Sequence, residues 1–174
     1  MRMFFFGSLM DLDLLRLVVG RDIGDLVFTP AAILGFERRR ACDESFPIIM
    51  PHPGGQVDGF LVDGLTTADI DRIQFYESDD YALRTFTVAT ATSRVEAEVF
   101  LPTEKLADEG IVWEFDTWLE VEKPMCLALA EELMSHYGIL TSKQYDLLWP
   151  DMKERAWQRF FGPAAGRKHA VGED

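Results

Sequence analysis

The sequence predicts an α+β protein, with a β-rich first part followed by a helical second part. Up to Pro102, short segments rich in β-branched and aromatic residues are separated by glycine and proline turn signals. After Pro102, apolar residues recur at helical spacing. We therefore predict a core over residues 1–104, a helical C-terminal extension over residues 105–161, and a mobile tail over residues 162–174, which are small, polar and aperiodic.

The chain begins with a strand and a helix joined by a glycine–serine turn. Met3 to Phe6 is an apolar run typical of a buried strand, and Asp11 to Val19 has the spacing of a helix that ends at Gly20. A glycine such as Gly7 lets backbone approach a ligand, and unpaired N–H groups at a helix start favour an anion. The segment through Ser8 is thus a candidate site for a carboxylate or phosphate, although spacing alone favours an ordinary turn.

Four further segments have the residue types of strands: Ala31 to Phe36, Val57 to Val62, Thr85 to Val88, and Val95 to Leu101. The last two form a hairpin across residues 91–93. Gly35 indicates a bulge or a close approach. Phe46 to Pro51 is extended, because residues before proline avoid the helical region, and Pro53-Gly54-Gly55 predicts a turn. Thr66 and Asp69 form a capping-box pattern at the start of a helix.

Glu77, at the end of that helix, is the main candidate for a catalytic acid or base. Ile70, Ile73 and Glu77 fall on one stripe, so a carboxylate takes the place of an apolar residue on the inward face. Burial raises the pKa of such a group and makes it useful as an acid or base near neutral pH. A structural role is an equal alternative: Tyr81 or backbone N–H groups hold the carboxylate, or it reaches solvent. Tyr81 is either a hydrogen-bond donor to the carboxylate or substrate, or a core aromatic.

Helices are predicted past Pro102 over residues 113–122, 124–137 and 142–161, the last interrupted at Trp149-Pro150. The extension contains many large aromatic residues. Core packing is the favoured explanation for them, and a homodimer or partner surface is the alternative.

Composition and charge argue against several classes of partner. The 174 residues include 17 basic and 30 acidic residues, a net charge of −13. Nucleic acids and anionic membranes need clustered cations, so we expect neither as a partner. Arg38-Arg39-Arg40 is the one basic run, and we interpret it as a solvated strand edge. No segment reaches the roughly 18 apolar residues of a membrane span, and no signal peptide is evident, so we expect a cytoplasmic protein.

The cysteines and histidines form no ligand pattern. Cys42 and Cys126 lie far apart in the sequence and are expected to be reduced thiols. His52, His136 and His169 are scattered. We therefore predict no metal site and no cofactor.

Two motifs together resemble those of a known superfamily. The segment Phe5-Phe6-Gly7-Ser8-Leu9-Met10 is similar to a Tyr-Gly-Ser/Thr-Leu loop, and Phe75-Tyr76-Glu77-Ser78-Asp79-Asp80-Tyr81 is similar to a Glu-Gly-x-x-Tyr element. With Phe46-Pro47-Ile48 and Val57-Asp58-Gly59 between them, the chain resembles the γ-glutamylcyclotransferase-like superfamily, including its AIG2-like branch, over about residues 3–101. It also resembles the cyclotransferase-like domain found beside some ADP-ribose pyrophosphatases, but no Nudix signature is present, so that activity is not implied.

The resemblance implies a fold, which is a small mixed β-barrel with flanking helices, and it also implies a function. That function is cyclisation of a γ-glutamyl amine or amide to 5-oxoproline with release of the amine, without a cofactor. Glu77 would be the general acid/base, Tyr81 would line the pocket, and backbone donors would come from Phe6, Gly7, Ser8 and Leu9.

Two departures from the pattern motivate a second hypothesis. Phe6 stands where the family usually has Tyr, which removes a pocket hydroxyl, and Ser78 stands where it has Gly. The alternative function is a non-catalytic small-molecule binding or interaction module that keeps the same pocket.

Overall fold

The structure is a computed structural model that describes residues 1–162. The predicted tail, apart from Gly162, lies outside the described residues. The fold confirms the predicted α+β class.

Five strands close into a mixed β-barrel in the order β3-β1-β5-β4-β2, and pairing of β2 with β3 completes the circle. The strands are β1 (Arg2–Phe5), β2 (Val27–Ala41), β3 (Pro47–Asp63), β4 (Tyr81–Thr90) and β5 (Arg94–Pro102). Neighbouring strands are antiparallel except β1 and β5, which are parallel. Closure leaves no free edge within the barrel. The mixed barrel implied by the resemblance is therefore confirmed.

The first strand lies in the middle of the core. Met3, Phe4 and Phe5 are each at most 4% exposed. Because successive residues of a strand point to opposite faces, both faces of β1 are covered. Gly59 of β3 lies against it: a Cβ there would lie 2.1 Å from the Phe5 carbonyl oxygen, so only glycine allows the two strands to approach this closely.

The two longest strands share an irregularity. Gly35 has a φ of +83°, and the register between β2 and β3 shifts between Leu34 and Phe36, which confirms the expected bulge. Residues 52–55 of β3 have no partner opposite, so the predicted turn at Pro53-Gly54-Gly55 lies inside one long strand.

In the described part of the chain, five α-helices flank the barrel: α1 (Leu12–Val19), α2 (Thr67–Glu77), α3 (Phe115–Val121), α4 (Lys123–Met134) and α5 (Ser142–Phe161). Asp11 caps α1 by accepting a hydrogen bond from the Leu14 N–H. Thr66 and Asp69 form the predicted capping box at the start of α2. Lys123 donates to Asp11 at 2.7 Å and thus ties α4 to the start of α1.

The structure corrects three expectations, two of them in the second half of the chain. Residues 108–112, placed in the helical extension, form strand β6 (Asp108–Val112), which pairs with β2. All five residues are exposed, so their sequence has no alternating apolar pattern to reveal a strand. Helix α5 continues through Pro150 instead of breaking, since Tyr145, Met152 and Ala156 on either side of it are buried.

The third correction concerns the basic run. Arg38, Arg39 and Arg40 lie in β2 where it pairs with β3, and Arg39 pairs with β6 as well. All three are half-buried and hold protein partners, so they do not form a solvated edge. In the described part of the chain, no helix is long and apolar enough to cross a membrane.

Substitution of Thr66 by alanine should lower the free energy of unfolding by about 1 kcal/mol, because the N–H of Asp69 loses its capping acceptor. Thr67→Ala is the matched control, since Thr67 is exposed and lies one residue inside the helix. Urea unfolding of both variants measures the difference. Equal losses would contradict a specific role of the cap.

Candidate active site

A cavity of about 140 Å³ lies where the loop after β1, the start of β3, the end of α2 and helices α4 and α5 meet. The residues predicted to form the site all line it: Phe6, Gly7, Ser8, Leu9, Glu77 and Tyr81. The fold therefore brings together residues that are 71 positions apart in the chain, from Phe6 to Glu77.

The loop after β1 leaves its N–H groups available. Ser8–Met10 form a short 3-10 turn ahead of α1, in which the carbonyls of Gly7 and Ser8 accept from Met10 and Asp11 at 3.0 Å. Within residues 1–162, the N–H groups of Gly7, Ser8 and Leu9 have no backbone acceptor. A Cβ on Gly7 would lie 2.8 Å from Pro47 Cγ, so this position needs glycine for space.

Glu77 is the last residue of α2, is half-buried, and lines the cavity. Burial, and secondarily the nearby Asp80, raise its pKa to about 8. Among the described residues its carboxylate accepts no hydrogen bond and forms no ion pair. The carboxyl group is therefore mainly protonated at neutral pH and lies close to its midpoint of titration.

Tyr81 does not hold the Glu77 carboxylate. Its hydroxyl donates to the Pro47 carbonyl oxygen at 2.6 Å, and its ring packs edge-on against Phe46. A phenol has one proton to donate, so none remains for Glu77. Burial and the charge of Glu77 raise the pKa of Tyr81 well above its usual value. Tyr81 instead fixes Pro47, the residue that packs on Gly7.

Ser78, the residue that replaces the family's glycine, has backbone angles that favour glycine. Its φ is +57° and its ψ is −156°. The side chain is buried, and its Oγ accepts from the Asp80 N–H at 3.0 Å. Strain of this kind at a residue next to a candidate acid is typical of functional sites.

Tyr76 and Cys126 also line the cavity, and the sequence analysis assigned them no role in it. The Tyr76 hydroxyl lies 3.7 Å from Cys126 Sγ, and the nearby Ser8 side chain acts against the effect of burial on its pKa. Burial raises the pKa of Cys126 to about 12 and that of Tyr76 well above its usual value, so both groups are neutral. A hydroxyl thus reaches the loop from α2, although Phe6 itself has none. The position of Tyr76 beside Glu77 in the motif was the one available signal.

Helices α4 and α5 cover the cavity. Leu129 and Leu133 of α4 and Tyr145 and Trp149 of α5 line it. The Tyr145 hydroxyl donates to the Phe75 carbonyl at 3.0 Å. These residues lie beyond the segments that carried the resemblance, so no motif pointed to them.

The cavity lining is acidic. It includes Glu44, Glu77, Asp80 and Asp146 and, among the described residues, no lysine, arginine or histidine. No group of His, Cys, Asp and Glu within residues 1–162 is arranged to hold a metal ion. An anionic ligand here must therefore be bound by backbone N–H groups and neutral donors.

Solved structures share this fold. A structure titled gamma-glutamyl cyclotransferase is similar with a TM-score of 0.53 at 15% identity, over 62% of this chain and 68% of that one. A solution structure from Arabidopsis thaliana has a TM-score of 0.55 at 22% identity, over 77% of this chain and 90% of that one. At these identities the likeness shows the fold alone.

Sequence comparison identifies the family. Residues 3–120 match the family model described as "Gamma-glutamyl cyclotransferase, AIG2-like". The chain belongs to this family. AIG2-like protein B of Arabidopsis thaliana is 26% identical over 136 residues, which cover 75% of this chain and 76% of that protein. AIG2-like protein A of the same plant is 23% identical over 75% of this chain and 79% of its own.

Glu77→Gln should change how stability depends on pH. The pKa of Glu77 is raised on folding from 4.5 to about 8, so its contribution is complete below pH 4.5 and is lost as pH rises through 8. The variant lacks this loss. Its stability relative to the wild type should increase by on the order of a few kcal/mol between pH 4.5 and pH 9, measured by urea unfolding. Glu96→Gln, an exposed position, is the control; parallel curves for wild type and Glu77→Gln would refute the raised pKa.

Ser78→Gly and Ser78→Ala separate backbone strain from the hydroxyl. Both remove the hydrogen bond to the Asp80 N–H, but only glycine relieves the positive φ. Ser78→Gly should therefore be more stable than Ser78→Ala by about 1 kcal/mol in thermal or urea unfolding. Equal stability would show that the backbone here is not strained.

Proposed function

We propose that the protein cyclises a γ-glutamyl amine or amide to 5-oxoproline and releases the amine, with Glu77 as the general acid/base. The observation that carries this proposal is the Glu77 carboxyl group, which has a pKa of about 8 and faces a cavity with no protein partner of its own in the described chain. Membership of the γ-glutamyl cyclotransferase, AIG2-like family supports the class of reaction.

The reaction is an intramolecular acyl transfer. The α-amine nitrogen of the γ-glutamyl group bonds to its own side-chain carbonyl carbon, and the bond from that carbon to the leaving nitrogen breaks. One proton moves from the attacking nitrogen to the leaving nitrogen, so water is neither consumed nor released. The cavity has to hold the substrate folded, and such positioning lowers a barrier by roughly 7–11 kcal/mol in favourable geometry.

Glu77 carries that proton. In its ionised form it accepts a proton from the α-amine, and in its protonated form it donates one to the leaving nitrogen. A pKa of about 8 lets both forms exist near neutral pH, where acid–base catalysis contributes roughly 10²–10⁴ in rate. A bound substrate ammonium lowers the pKa of Glu77, because an opposite charge favours the ionised carboxylate.

The loop after β1 binds the substrate α-carboxylate. The N–H groups of Gly7, Ser8 and Leu9 have no backbone acceptor in residues 1–162, and all three residues line the cavity. Backbone donors suit this cavity, because its carboxylates repel an anion and its lining has no cationic side chain to offset them. The same donors are available to the oxyanion that develops at the carbonyl.

Incubation with a panel of γ-glutamyl amines should yield 5-oxoproline, and Glu77→Gln should reduce kcat by roughly 10²–10⁴. The value of kcat/KM should rise with pH through about 8, because that profile reports the free enzyme. The profile of kcat should rise at lower pH, since the bound ammonium lowers the pKa of Glu77.

Glu96→Gln is the matched control, because this exposed glutamate of β5 lies outside the cavity lining. Unchanged activity in Glu77→Gln would remove Glu77 from the mechanism. Binding of a γ-glutamyl amine without turnover in the wild type would instead identify a non-catalytic binding module with the same pocket.

A further inference from the structure

Arg38 differs from its neighbours in the basic run because it pairs with no carboxylate in the described chain. Arg39 pairs with Glu37, and Arg40 pairs with Glu109 and Glu122. Arg38 instead donates from Nη1 to the carbonyl oxygen of Phe6 at 2.7 Å. This half-buried cation is therefore directed at the backbone of the loop after β1.

The guanidinium is held in place from its other side. Its Cζ lies 5.1 Å from the centre of the Trp113 ring, a cation–π distance. Trp113 is buried, and its Nε1 donates to the Ser45 carbonyl at 2.9 Å. Arg38 does not line the cavity, whereas Phe6 and Ser45 do.

The Phe6 carbonyl oxygen, which accepts this hydrogen bond, belongs to the same peptide group as the Gly7 N–H. A charge-assisted hydrogen bond to a carbonyl oxygen polarises the whole peptide unit and makes its N–H a stronger donor. It also fixes the plane of that peptide, and hence the direction of the N–H.

We propose that Arg38 is a positioning residue that orients and polarises the Phe6–Gly7 peptide so that its N–H binds the carboxylate of the ligand. The inference rests on the proposed function for the identity of that carboxylate. It places a positive charge behind the loop of a cavity whose own lining is acidic.

The environment keeps the guanidinium charged. Burial lowers the pKa of Arg38, while the charges of Glu114 and Asp58 act in the opposite direction. An arginine side chain remains protonated in proteins at neutral pH.

The test compares Arg38→Met, Arg38→Lys and Arg39→Met. Arg38→Met removes the donor and the charge, Arg38→Lys keeps the charge and a single donor group, and Arg39→Met removes an equal charge from the same strand. The probe is 5-oxoproline, whose carboxylate matches that of the proposed product. We expect its Kd in an NMR titration to rise about tenfold in Arg38→Met and less in Arg38→Lys, with no change in Arg39→Met.

The chemical shift of the Gly7 amide distinguishes this role from a general structural one. A general loss of structure would shift many amide resonances and not that of Gly7 in particular. In free Arg38→Met this resonance should shift upfield, with little change at amides far from the loop, and Arg38→Lys should restore part of the shift. Where turnover is measurable, KM should rise about tenfold with kcat within about threefold of wild type. If Arg38→Met does not fold, Arg38→Lys alone should show a smaller rise in Kd with a Gly7 shift.

Each failure has a distinct meaning. Wild-type protein that binds 5-oxoproline but turns over no γ-glutamyl amine refutes the proposed function, and the Kd series still decides the role of Arg38. An unchanged Gly7 resonance, a Kd series in which Arg38 and Arg39 variants agree, or wild-type protein that does not bind 5-oxoproline would overturn the inference.

Discussion

The hydrogen bond from the Tyr81 hydroxyl to the Pro47 carbonyl is the contact on which the cavity depends. It joins the first residue of β4 to the first residue of β3, two strands that are not neighbours in the barrel order. Pro47 in turn packs on Gly7, where no Cβ has room. Three separate segments are thereby set at fixed positions around one space. The end of α2 at Glu77, four residues before Tyr81, is tied to the same region through this contact.

The chemistry of the site follows from burial more than from charge pairing. Burial is the first cause of the raised pKa values of Glu77, Tyr76, Cys126 and Tyr81. Of these groups Glu77 alone has its pKa raised into the neutral range, because a carboxylic acid begins from a much lower value than a phenol or a thiol. Shared burial thus leaves three neutral groups and one carboxyl group that titrates near neutral pH.

Sequence reasoning located features that depend on local pattern. The capping box at Thr66, the bulge at Gly35 and the joint placement of Gly7 and Glu77 each have a signal within a few residues. It missed features that depend on tertiary contacts. Strand β6 is exposed on both faces and has no periodicity, and the basic run resembles a solvated edge until Trp113 and the Phe6 carbonyl are brought to Arg38. The roles of the individual site residues remain predictions.

The covering helices extend this dependence on burial to the second half of the chain. Cys126, Leu133, Tyr145 and Trp149 line the cavity from α4 and α5, and the Lys123–Asp11 contact ties α4 to the start of α1. Because desolvation raises the pKa of Glu77, helices that exclude water from the cavity help to set the protonation of that carboxyl group. The barrel and the loop supply the geometry of the proposed site, and the extension supplies the environment in which a glutamate titrates near neutral pH. The catalytic proposal therefore depends on helices α4 and α5 as well as on the barrel.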